Sequence, residues 1–449
     1  MSLQKTLQRI LQMIKERDTN LKEFFANLHP SDFAEIVADL TDEEKRDLFE
    51  LLSDEEAALV IQEMEEIDQV VLFQLLSKKR ASGILKEMST DDAADLIGEL
   101  PADDAKELLK MIEEDAAEIR GLLNYPEESA GGIMTTELIS FPEAMVAEEA
   151  IRRLREIATE AETVYYVYVV DEENRLIGVL SLRELISAAD GTRLAEIMRK
   201  SIISVPADMD QEEVARIVSK YDLLAVPVVD ERQRLLGIIT VDDILDVVEQ
   251  EATEDIYRRI GATEIDNVDL MAASVLRIIT KRLPWLIITL IAGLVSGSIV
   301  GAFAEAIQTV VVLAMFIPVI MDMGGNAASQ ASTVFVRGVA TGEIERSDQW
   351  RYFFREVRVG LTMGTVCGLL VAVAAGLWRQ QPALGLVVGI AMFATVTVGA
   401  VIGTLVPLLL HRFGLDPAYG SGPLVTSIKD ATGLTIYFSI ASIFMRYLV

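Results

Sequence analysis

The chain has 449 residues, 51 % of them hydrophobic and 24 % charged, with a formal net charge of −30. That length exceeds one ordinary domain, and so much apolar and charged sequence together points to separate apolar and polar parts. Residues 1–264 hold 60 acidic and 28 basic side chains, net −32, and the remainder hold 10 and 12, net +2. An acidic module of that size repels nucleic-acid phosphate and anionic headgroups, which excludes nucleic acid and makes multivalent cations the natural partners.

The first residues, MSLQKTLQRILQMIKERD, alternate polar and apolar positions at helical spacing, with no uninterrupted apolar run. No cleaved signal peptide is expected, and the N-terminus is expected in the cytosol. From His29 follow seven blocks of twelve residues, each ending in apolar residues. Thr41 with Glu44 and Ser53 with Glu56 have capping-box spacing, and Ser77, Ser89 and Pro101 also suit helix starts. Helices of two to three turns cannot bury an apolar face alone, so residues 1–130 are predicted to stack as an acidic, α-helical superhelical N-domain. The acidic pairs after these starts, such as Asp91-Asp92, complement helix dipoles. A sharper reading has some of them face a second acidic surface across a divalent ion.

Over residues 131–252 a longer unit occurs twice: a lead-in strand, an amphipathic helix, two β-branched strands joined by DEENR or DERQR, and a helix. The two copies are expected to pair about a pseudo-dyad. They resemble a tandem pair of cystathionine-β-synthase (CBS) domains, on the twice-occurring VVDE…L(I/L)G(V/I). The resemblance implies an α/β regulatory module that binds an adenine nucleotide such as ATP, with Tyr166, Arg183 and Glu184 at nucleotide-contacting positions.

Residues 240–282 read as an acidic connecting helix and linker, with Arg277, Lys281 and Arg282 before the first apolar stretch. In residues 283–449 five membrane spans can be drawn: Leu283 to Ala304, Ile307 to Val336, Val359 to Trp378, Gln380 to Leu410 and Gly422 to Met445. Each reaches the roughly 20 residues a bilayer requires. Arginines gather between spans two and three, placing that loop in the cytosol and the C-terminus outside. In span two, Pro318, Gly324 and Gly325 are expected to break the helix where Asn326, Ser329 and Gln330 supply polar groups. Asp430 in span five sits at membrane depth, where a charge usually serves a path or a partner. A single carboxylate among small residues suits partly hydrated Mg²⁺, and the scarcity of His and Cys disfavours zinc or copper. Lys429 lies beside it, but adjacent helix residues point about 100° apart. A pore carboxylate and a structural ion pair are both open readings.

Taken with GGNAxxQ and GPLVTxxxDATG, this order of parts resembles the MgtE family of magnesium channels over essentially the whole chain. The resemblance implies a multi-pass homodimer in the prokaryotic cell membrane with its pore at the two-fold axis. It implies Asp430 as the pore aspartate, with Asn326 and Asp416 near the pore and its cytosolic mouth. It further implies Asp91, Asp95, Asp222, Asp243, Asp246 and Glu254 as ligands of regulatory Mg²⁺. Ala328 departs from the glycine many relatives have there. Rival readings are a channel or proton-coupled carrier for Co²⁺ or Mn²⁺, and a membrane-anchored nucleotide sensor. No nucleophile and base, metalloprotease motif or P-loop supports an enzyme.

Overall fold

The computed structural model describes residues 3–16, 25, 28–112, 116–158, 161–260, 275–420 and 422–448. The chain divides into two compact units, Met1–Val248 and Glu249–Val449, each with its own hydrophobic core. Residues 261–274, most of the expected linker, lie outside the described residues.

The first unit begins with α1 (Leu3–Glu16), α2 (Pro30–Ala38), α3 (Asp42–Leu51), α4 (Asp54–Gln62), α5 (Glu66–Leu75), α6 (Lys78–Leu85), α7 (Thr90–Glu99), α8 (Ala102–Met111) and α9 (Ala116–Leu122). Thr41 and Ser53 form complete capping boxes with Glu44 and Glu56, and the Ser77 hydroxyl accepts from the Arg80 amide. Helices this short are marginal in water, so their stability comes from stacking. Even-numbered helices pack in one row, α2 on α4 on α6 on α8, and α3, α5 and α7 form a second. Phe33, Phe49, Ile61, Leu72 and Ile84 fill the space between them.

Two three-stranded sheets follow. The first copy has β1 (Ser140–Pro142), α10 (Ala147–Ile157), β2 (Tyr166–Val170), β3 (Leu176–Ser181) and α11 (Leu182–Ile186). After α12 (Leu194–Ile197), the second has β4 (Val205–Pro206), α13 (Gln211–Tyr221), β5 (Ala225–Val229), β6 (Leu235–Thr240) and α14 (Val241–Ile260). In each sheet the lead-in strand runs parallel to its neighbour and the last two strands are antiparallel. Asp171 and Asp230 close the DEENR and DERQR turns by accepting backbone amides two and four residues on. The pseudo-dyad runs between these turns, where Leu176 N donates to Gln233 O at 2.9 Å and Leu235 N to Asn174 O at 3.0 Å.

The copies also exchange their lead-in segments. Thr135 and Ile238 share two backbone bonds of 2.8 and 3.0 Å, and Arg199 and Val179 share the equivalent pair at 3.0 and 3.1 Å. Gly178 and Gly237 permit this approach. A Cβ there would meet Met198 Sδ at 2.3 Å and the Thr135 carbonyl at 2.6 Å.

The second unit contains α15 (Val275–Ala302), α16 (Ala304–Thr309), α17 (Ile317–Ala340), α18 (Gln349–Arg379), α19 (Pro382–Arg412), α20 (Pro423–Ile443) and α21 (Met445–Leu448). Four of the described stretches are long and apolar enough to cross a membrane: Ile278–Ala302, Val311–Ala340, Gln349–Arg379 and Pro382–Arg412. Helix α20, with 21 residues, carries Lys429 and Asp430 and is too polar to count with them, yet it packs against α15, α17 and α19.

The expected break at Gly324-Gly325 is absent, because α17 runs unbroken through both. Pro318 stands in the first turn, where its missing N–H removes no helix bond. The interruption lies earlier, at Val310 and the 3₁₀ turn Val311–Phe316. The glycines serve close packing instead. A Cβ on Gly324 would lie 2.7 Å from Thr395 Cγ2, and one on Gly325 would lie 2.8 Å from Lys429 Nζ. Ala328 is helical and buried, and its space comes from the facing helix, where a Cβ on Gly403 would lie 2.2 Å from the Ala328 carbonyl oxygen.

Candidate functional site

Asp322, Asn326, Ser329 and Gln330 project from α17 and are all exposed. Offsets of four, seven and eight residues put them on one face of the helix. Asn326 donates to Asp322 at 3.3 Å. On an otherwise apolar helix such a stripe needs water or another chain. Asp430 of α20, its side chain 34 % exposed, belongs to the same region through its neighbour. The Lys429 ammonium pairs with the Asp430 carboxylate and donates to the Met321 carbonyl on α17 at 3.1 Å. The divergence expected for adjacent residues is therefore overcome: the four-carbon stem of lysine lets its tip return to Asp430 while the Cβ atoms diverge. Thr426 is exposed just before Asp430, whereas the Ser427 hydroxyl donates to the Pro423 carbonyl at 2.7 Å.

Asp416 lies in the loop before α20. One of its oxygens accepts the Ala418 amide at 2.7 Å, and the other accepts from Arg258 at 2.6 Å. Arg258 also pairs with Glu254 one helical turn back on α14. A guanidinium thus bridges Glu254, expected as a Mg²⁺ ligand, and Asp416, expected at the cytosolic mouth of the pore. Asp246 is exposed on the same helix, nearer its start.

In the first unit, α7 presents Asp91, Asp92 and Asp95 to an acidic crevice. The Thr90 hydroxyl fixes this helix start on the first CBS copy, within 3.2 Å of Thr135 Oγ1 and 3.0 Å of Thr136 Oγ1. Asp91 is 8 % exposed, and its Oδ1 has no hydrogen-bond partner. Burial first, and then Asp92 and Glu162, push its carboxyl well above the usual range. Asp92 is raised mainly by burial, despite bonds from Ser89 and Gln62. Asp95 and Glu162 are exposed residues, with protein against one side of each carboxyl. Burial and then acidic neighbours push both up to about 7. Asp243 is also pushed up to about 7, by burial and then by Asp91, against a bond from Thr240. Beside Asp95 opens a cavity of about 280 Å³, lined also by Glu99, Tyr125 and Glu127.

Among the described residues no group of three or more Asp, Glu, His or Cys side chains is arranged to hold a metal ion. The structure brings Asp91, Asp95 and Asp243 together and adds Asp92, Asp242 and Glu162. The Asp91-Asp92 pair is a visible signal in the sequence; Glu162, in the segment before β2, offers none. Asp222 stands apart as the exposed left-handed cap of α13, φ 51°. At the expected nucleotide positions, Tyr166 is half-buried at the start of β2 and Arg183 is exposed. Glu184 is engaged, completing the Ser181 capping box and pairing with Arg199 at 2.7 Å.

A family described as divalent cation transporter matches residues 317–440, the MgtE intracellular N domain matches 28–128, and CBS domains match 130–191 and 194–250. A magnesium transporter MgtE of Thermus thermophilus is 43 % identical over 330 residues, 74 % of this chain and 73 % of that protein. One from Bacillus subtilis is 42 % identical over 359 residues, 80 % and 79 % of the two chains. Among solved structures, the soluble part of a magnesium transporter is similar at 38 % identity and a TM-score of 0.54, covering 56 % of this chain and 100 % of that one. The cytosolic domain of the Mg²⁺ channel MgtE in complex with ATP is similar at 42 % identity and 0.51, covering 54 % and 98 %. With a helical N-domain, a CBS pair and a transporter domain in this order, and with relatives alike over most of their length, the chain belongs to the MgtE family.

Proposed function

We propose that the chain is a Mg²⁺-selective channel in a prokaryotic cell membrane, working as a homodimer and gated by cytosolic Mg²⁺. The observation that carries this reading is the exposed polar stripe Asp322, Asn326, Ser329 and Gln330 beside Asp430. Exposed carboxylates and amides at membrane depth call for a water-filled path, which a second subunit would close. On this reading α20 is the fifth span, the N-terminal domains are cytosolic and the C-terminus is outside. Asp430 orders the shell of a partly hydrated Mg²⁺, with Asn326 beside the path and Asp416 at its inner mouth.

Regulation follows from charge. Carboxylates of the Asp91, Asp95 and Asp243 crevice repel one another when no cation lies between them. Cytosolic Mg²⁺ binds better to the arrangement that brings them together, and only that difference in affinity shifts the gating equilibrium. Asp222 and Asp246, exposed on the first unit, and Glu254 on the second serve as further Mg²⁺ ligands away from that crevice. The complex of a similar cytosolic domain with ATP supports a nucleotide site on this chain, and in the CBS pair the exposed Arg183 guanidinium suits its phosphates, with Tyr166 and Glu184 as further contacts.

Flux of Mg²⁺ into liposomes bearing the full-length protein tests the pore. Asp430→Asn is expected to lower flux at least about tenfold, without dependence on a pH gradient in the unmutated protein. Unchanged flux in Asp430→Asn would sink the pore reading, and flux that needs a proton gradient would replace a channel with a carrier.

A further inference from the structure

Lys429 is only 6 % exposed, although it is a lysine in a helix of the membrane unit. Among the described residues its ammonium has two partners, the Asp430 carboxylate and the Met321 carbonyl. Its tip rests against Gly325, the one kind of residue that leaves room, since a Cβ would stand 2.8 Å from Nζ. A buried ion pair is often no more stable than an apolar replacement of the same volume, so stability alone is a weak reason to keep this charge. The contacts fix the cation between α17 and α20, directly behind the proposed pore ligand.

We propose that Lys429 is a specificity-determining positioning residue, a fixed internal counter-cation that weakens the hold of Asp430 on passing ions. The inference rests on the pore reading of Asp430. With the ammonium in place, the pair is close to neutral, and a monovalent cation gains little from it. A divalent ion retains twice the attraction toward the carboxylate's outer edge and meets it through its own waters. Conduction requires binding strong enough to admit an ion and weak enough to release it. Lys429 supplies the second half of that requirement. The Met321 bond and the Gly325 recess set the ammonium's position, so that the carboxylate is shared rather than covered.

The test is the Mg²⁺ dependence of flux in liposomes containing the full-length protein. Lys429→Gln is expected to lower the half-saturating Mg²⁺ concentration by about tenfold and to reduce maximal flux, as ions bind more tightly and leave more slowly. Lys429→Arg is expected to keep the unmutated half-saturation. A merely structural lysine would change the amount of active channel but not half-saturation, and a Lys429→Gln curve with unmutated half-saturation overturns the proposal. Gly325→Ala, which displaces the ammonium without removing it, covers the case in which Lys429→Gln does not fold. It is expected to shift half-saturation the same way by a smaller factor, and no shift overturns the proposal. Asp430→Asn separates the two readings. If it is inactive while Lys429→Gln is unshifted, only the role of Lys429 fails; if it conducts normally, both fail.

Discussion

Arg183 and Glu184 are neighbours in sequence with opposite fates. Glu184 holds the start of α11 through the Ser181 box and the Arg199 pair, whereas Arg183 projects into solvent. A capping box is local, so it is readable from S-x-x-E spacing; the partner fifteen residues on is not. On the proposed reading of a nucleotide site, the exposed Arg183 guanidinium is the phosphate contact of the two. Arg183→Ala is expected to weaken ATP binding to the full-length protein about tenfold, equivalent to roughly 1.4 kcal/mol. Isothermal titration checks it, and unchanged affinity removes Arg183 from the site. Because Glu184 supports the fold as well, its substitution would report on α11 and on nucleotide together.

At the scale of elements, what is encoded within a few residues was legible and what depends on a distant surface was not. Helix starts at Thr41, Ser53 and Ser77 follow from side chains that cap their own backbone. The exchange of lead-in segments between the CBS copies depends on Gly178 and Gly237 facing Met198 and Met134, which no local pattern reveals. Gly324-Gly325 misled for the same reason. Glycine weakens an isolated helix, but between membrane helices it lets backbones approach, as the small residues Gly399 and Gly403 do on α19 against Gly324 and Ala328 on α17. Gly403→Val would force a side chain into the Ala328 carbonyl, and overpacking of this kind costs about 1–3 kcal/mol. A lowered thermal transition of the purified protein, with lost flux, is the expected result. Gly293, around whose Cβ position nothing lies within 4 Å, is the control, and Gly293→Ala is expected to leave that transition in place.

For the whole molecule, the −30 charge acts through the few carboxylates that folding crowds together. Asp95, Glu162 and Asp243 are pushed up to about 7, and Asp91 and Asp92 are raised by burial and by their neighbours. Unfolded carboxylates titrate near 4, so between about pH 4 and pH 8 the folded state binds protons that the unfolded chain does not. Stability of the first unit therefore falls as pH rises through that window and levels off above the folded values. On the proposed reading Mg²⁺ competes with those protons, binding the ionised form and adding stability by mass action. Limited proteolysis of the full-length protein in lipid nanodiscs provides the measurement. Without divalent ions, cleavage within residues 28–248 is expected to be faster at pH 8 than at pH 5. Millimolar Mg²⁺ is expected to slow it strongly at pH 8 and little at pH 5, and Asp91→Asn with Asp243→Asn to abolish most of that difference. Protection equal at both pH values would mean that the crevice does not bind the ion, and gating would have to be sought at other acidic positions such as Asp222 or Asp246.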